Sequence, residues 1–142
     1  MWSYIWPALL VVGANLVYHI TTKETPKHVD PFLSLVVTYS VGALVSLGLY
    51  LATSHEKQAL FQALKGLNWA TYLLGVAIVG LEAGYIYLYR AGWKISVAPL
   101  VCNTTVAVLL LAVGLLYYKE ILSVKQVIGA ALCAAGLVFI NG

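Results

Sequence analysis

Long apolar runs constrain this chain more than any other feature. A helix needs about 20 mostly apolar residues to cross a hydrocarbon core of roughly 30 Å. Four runs meet that length: about 2–20, 31–52, 69–89 and 96–118. A fifth, 124–141, is weaker. Its uninterrupted apolar part is Val127 to Ile140, and it reaches spanning length only if Lys125 and Gln126 snorkel to the interface. The expected fold is therefore an all-α integral membrane protein with five transmembrane helices in one domain over 1–142. Composition agrees: 62% of the residues are hydrophobic and 9% charged, where a soluble domain carries about a quarter charged.

Several classes fall away. Cys102 and Cys133 lie inside apolar runs, so a disulfide scaffold is not expected. No basic stripe suits nucleic acid. The motifs of zinc hydrolases, serine hydrolases and phosphate-binding loops are missing, as are ligand-spaced Cys and His. Neither enzyme, metal nor cofactor is expected. The first run lacks a basic leader and a small-x-small site before a hydrophilic stretch, so secretory cleavage is not expected.

Connections are short, and aromatic residues mark segment ends (Trp2, Trp6, Trp69, Trp93, Tyr117, Tyr118). Over 55–68, Ala59, Leu60, Leu64 and Leu67 recur at helical spacing against Glu56, Lys57, Gln58 and Lys65. This predicts a short interfacial helix or an extension of the second span. Five crossings put Lys23, Lys27, Arg90 and Lys94 on one side, against Lys57, Lys65, Lys119 and Lys125 on the other. Orientation normally follows an excess of Lys and Arg, and an even split leaves none to read. Chance explains such a tie as well as dual insertion does.

One acid lies in hydrocarbon. Glu24, Asp30, Glu56 and Glu120 fall in connections, whereas Glu82 sits thirteen positions after Trp69 and eight before Arg90. At 1.5 Å per residue that is roughly 4 to 5 Å from the midplane. An acid there costs on the order of 2.5 to 3.5 kcal/mol on insertion scales, which makes it a functional candidate. Ile78, Tyr85, Ile86 and Tyr89 share its helical face, and Gly80 and Gly84 flank it in a Gly-x-x-x-Gly pattern that admits another backbone. One carboxyl beside phenol rings suits a cationic, partly apolar ligand, and proton and substrate can compete for it. The plainer readings are a protonated acid acting as helix glue, or a pair with Arg90 two turns away.

Other polar groups are sparse. Asn15 and Asn103 are candidate orienters of a solute, and His19 reads as interfacial. Thr104 and Thr105 are expected to bond back to their own helix. Ser34, Thr38, Gly42 and Ser46 form a small-residue seam, and Gly129, Cys133 and Gly136 form a packing or dimerisation face.

The last third of the chain carries a resemblance. Leu88 to Ala98, an apolar helix, then Tyr118-Lys119-Glu120-Ile121-Leu122-Ser123, then Gly129, Leu132 and Gly136 together resemble the EamA repeat of the drug/metabolite transporter superfamily. Most members join two inverted five-helix repeats, so the resemblance implies a single-repeat subunit that completes a ten-helix transporter as an antiparallel homodimer. The related small multidrug-resistance proteins use one glutamate per subunit, in helix one. Here that slot holds Asn15, and the acid is Glu82 in helix three. Pro99 also stands earlier than the family's fourth-helix proline.

The expected function is proton-coupled export of an organic cation or amine-bearing metabolite across a bacterial cytoplasmic membrane. Glu82 would be the proton and cation site, with Tyr85 and Tyr89 as walls. Membrane lipid and a small solute are the expected partners. Two rivals are a lipid or lipid-linked sugar flippase subunit and a non-transporting accessory protein.

Overall fold

The computed structural model describes residues 2–53, 64–121 and 123–141. Among them are five helices and no strand: α1 (Trp2–Glu24), α2 (Pro31–Thr53), α3 (Trp69–Arg90), α4 (Ala98–Leu116) and α5 (Val124–Asn141). Four are long and apolar enough to cross a membrane, with spans of 20, 23, 22 and 19 residues. The fifth helix, α5, carries Lys125 and Gln126 in its first turn, and its uninterrupted apolar run is Val127 to Ile140. A helix thus forms over the weaker fifth segment, 124–141, as expected. Of the interfacial segment expected over 55–68, residues 55–63 lie outside the described residues. Leu64 is helical, and the turn that follows it is closed by Leu67 N–H on the Leu64 carbonyl at 3.2 Å.

Local chemistry sets the boundaries. Asp30 caps α2, its Oδ1 accepting from the backbone N–H of Phe32 (2.8 Å) and Leu33 (3.1 Å), and Pro31 takes the first helical position, where no N–H is needed. Asn68 caps α3 by accepting from Ala70 N–H. That helix ends at Ala91 before Gly92, whose φ of +98° is the left-handed geometry that follows many helix ends. Ser123 and Gln126 form a reciprocal capping box at α5. Gln126 Oε1 accepts from Ser123 N–H at 2.7 Å, and Ser123 Oγ accepts from Gln126 N–H at 3.3 Å.

Three boundaries depart from expectation by two residues or more, the end of α4 among them, at Leu116 rather than Tyr118. Past residue 20, α1 gains a further turn, Thr21 to Glu24. Helix α4 begins at Ala98 rather than Ser96. Pro99 stands in its first turn, and Lys94–Val97 form a separate turn before it.

The chain divides into two compact units, Ile20–Ala91 and Met1–His19 with Gly92–Gly142. In the first, α2 packs on α3 through Leu35, Ala83 and Ile86, with Tyr39 and Val79 beside them. In the second, α4 packs on α5. Most large apolar side chains stay exposed, among them Leu10 at 63%, Val12 at 66% and Leu44 at 70%. Such a surface is costly in water and costless against acyl chains, so these faces are built for lipid. Polar side chains on the spans bond inward to their own helices: Thr38 to Ser34 O, Ser40 to Val36 O and Thr105 to Val101 O.

Candidate transport site

The candidate site grows from the contact between α2 and α3. Val79, Ala83 and Ile86 make one stripe of α3 that meets Leu35 and Tyr39 of α2. At about 100° per residue, Glu82 falls between that stripe and the one carrying Tyr85 and Tyr89. It is half-buried, while Tyr85 and Tyr89 are buried. The two phenol rings lie 6.1 Å apart at 31°.

Tyr39 is the neighbour that matters. Its hydroxyl stands against the Glu82 carboxyl, near enough to couple electrostatically. Yet the Tyr39 oxygen is buried and completes no hydrogen bond of good geometry. Among the described residues no cation forms an ion pair with Glu82. Arg90, the partner two turns away, is committed elsewhere. Its Nη2 donates to the carbonyls of Pro26 (3.0 Å) and Val29 (2.6 Å), tying the 25–30 connection to the end of α3. The Arg90 pairing is therefore not formed. The carboxyl faces a phenol and, among the described residues, keeps no fixed counter-charge.

At the far end of the same face, Lys23 places its ammonium 5.3 Å from the centre of the Tyr89 ring, within cation–π range. The first apolar run ends at residue 20, which places Lys23 in a connection by sequence. The added turn carries it onto the ring.

Other candidates separate. Asn15 and Asn103 belong to the second unit, and each is exposed. His19, expected at an interface, is buried, its ring edge-on to Tyr18 at 5.0 Å. Gly80 and Gly84 do not open a way to the acid. Two residues turn a helix by about 200°, so they lie on the reverse side of α3, exposed and with nothing within 4 Å of an added Cβ. Gly129 and Gly136 are also uncontacted at that position, and Cys133 lines a cavity between α4 and α5. Among the described residues, then, nothing stands where a side chain on these glycines would begin. No cluster of His, Cys, Asp or Glu able to hold a metal occurs among the described residues.

Apolar spans, lipid-facing exteriors and one partly buried acid define a multi-pass helical membrane protein. The family model of the EamA-like transporter family matches residues 3–142, and the chain belongs to that family. It is thus a small-molecule membrane transporter of the drug/metabolite type. Comparison with curated proteins and with solved structures finds no match.

Proposed function

We propose that this protein exchanges protons for an organic cation or amine-bearing metabolite by alternating access, with Glu82 as the shared binding group. One observation carries the reading. A carboxyl near mid-span faces a phenol hydroxyl, has no ion-pair partner among the described residues, and lies beside two buried phenol rings. A protonated acid can donate to the Tyr39 oxygen, and a deprotonated one can accept from it or bind an ammonium. Tyr39 is thus a positioning residue for both states. Tyr85 and Tyr89 supply apolar walls and ring faces, and the Lys23 ammonium over Tyr89 supports the disposition of that ring toward positive charge.

The site would be completed by a second copy inserted in the opposite direction, since one five-helix repeat supplies half of the family's usual ten helices. The even division of Lys and Arg permits this. Asn15 and Asn103 are assigned as polar orienters, and the uncontacted Gly80, Gly84, Gly129 and Gly136 as surfaces for the partner copy. A bacterial cytoplasmic membrane is the proposed location.

The test is proton flux in reconstituted vesicles on addition of candidate amines. Wild-type protein is expected to move protons against the amine gradient, and Glu82→Gln to leave only the leak of empty vesicles. Coupled flux that survives Glu82→Gln overturns the assignment.

A further inference from the structure

The second acid of interest lies in the other unit, and nothing about it depends on Glu82. After α4 the chain turns through Lys119, whose φ of +53° is left-handed, and Glu120 N–H reaches back to the Gly114 carbonyl at 2.9 Å. This turn folds the Glu120 side chain over α4. A Cβ on Gly114 would meet Glu120 Oε2 at 2.8 Å, so the buried glycine leaves the carboxylate its place. No hydrogen bond or ion pair to that carboxylate forms among the described residues.

The carboxylate closes one end of a cavity of about 480 Å³ between α4 and α5. Its other walls are apolar or small: Ala107, Val108, Leu110, Leu111, Ala130 and Cys133. The volume falls in the range of about 300 to 1,000 Å³ typical of ligand sites. From Leu116 down to Ala107 is nine residues, roughly 13 Å at 1.5 Å per residue. One leaflet of a hydrocarbon core is about 15 Å deep. The slot therefore runs from the Glu120 carboxylate over Gly114, about one turn below the level of Tyr117 and Tyr118 where aromatic rings meet headgroups, almost to the bilayer centre.

The geometry points to a binding site for a membrane lipid with a primary-ammonium headgroup: the ammonium on Glu120, one acyl chain along the slot between α4 and α5. Charge complementarity selects this occupant. A carboxylate about one turn below headgroup level, at the head of an apolar channel, asks for a cation attached to a chain. Lys119 and Lys125, both exposed at the same end, suit the phosphate that such a headgroup also carries. A primary ammonium donates three hydrogen bonds where a trimethylated one donates none, so phosphatidylethanolamine should be preferred to phosphatidylcholine.

Native mass spectrometry of the purified protein, equilibrated with equal amounts of the two lipids bearing the same chains, reads this directly. Wild-type protein should retain phosphatidylethanolamine about tenfold over phosphatidylcholine, the ratio expected of one charge-assisted hydrogen bond. Glu120→Gln should bring the ratio to parity. Gly114→Ala, which displaces only the flexible end of the Glu120 side chain, should lower it as well. Ala130→Leu, which fills the slot, should reduce retention of both lipids. Equal retention by the wild type overturns the site without reference to any variant, as does a preference that survives Glu120→Gln. Dimers that retain neither lipid would mean that a second copy fills the slot, and would overturn it too.

Discussion

Where α2 meets α3, Leu35 and Tyr39 fill the space against Val79, Ala83 and Ile86. Where α4 meets α5, Ala107, Ala130 and Cys133 leave a cavity of about 480 Å³. Side-chain volume decides whether each groove closes. Each pair also carries one carboxyl group, and the contrast extends to these. Glu82 is held in mid-span beside a phenol, while Glu120 sits at a helix end over an apolar slot. In lipid there is little hydrophobic drive between helices, so a filled interface gains by dispersion and a slot gains only when something occupies it. The filled pair holds Tyr39 and Glu82 in register, and the open pair leaves space beside Glu120.

The comparison can be broken in several places. The largest effect on stability is expected at the filled pair. Leu35→Ala should lower the unfolding free energy in detergent by about 2 kcal/mol, because it removes the side chain packed on Ala83 and Ile86 and leaves a cavity. Ala130→Leu in the open pair should leave stability unchanged or raise it, since the added methyl groups enter existing space. Denaturant titration followed by circular dichroism compares the two. Equal losses at both sites would show that the interfaces do not differ in packing.

Next in size is Arg90→Met, which removes the two hydrogen bonds that tie the 25–30 connection to α3. A loss of about 1.5 kcal/mol is expected, together with faster amide exchange over 25–30. Exchange that stays slow would mean the connection is held by other contacts. Ser123→Ala removes the side-chain half of the capping box and should cost about 1 kcal/mol, with fraying confined to the first turn of α5. The smallest effect is expected at Gly80→Ala, within about 0.5 kcal/mol for the isolated subunit, because nothing lies where the methyl would go. If the reverse face of α3 joins the partner copy, the same change should still weaken dimerisation in lipid.

Much of this fold can be read from the sequence, because a run of apolar residues in lipid has one way to satisfy its backbone. Helix order and the short fifth helix follow from this, as does the placement of one acid in hydrocarbon. Caps are legible where the motif is local. Ser123 and Gln126 have capping-box spacing, although Gln126 also reads as a snorkelling end residue. What lies between helices is not legible. Tyr39 is one phenol in an apolar run, and only the pairing of α2 with α3 brings it to Glu82. Four residues beyond the expected end of α1 decide whether Lys23 is a loop charge or the cation on Tyr89. In the same way, the left-handed Lys119 turns Glu120 from a connection residue into the wall of a cavity. Each of these rests on packing or a single dihedral angle, and neither has a period in the sequence.

The account stands on competition between a proton and a cationic solute at Glu82. Proton release on adding an amine to the purified protein in weakly buffered detergent measures it without transport, topology or dimer geometry. The wild type should release protons in step with bound amine, and Glu82→Gln should release none. Amine binding with no proton released by the wild type, or equal release by Glu82→Gln, would contradict it.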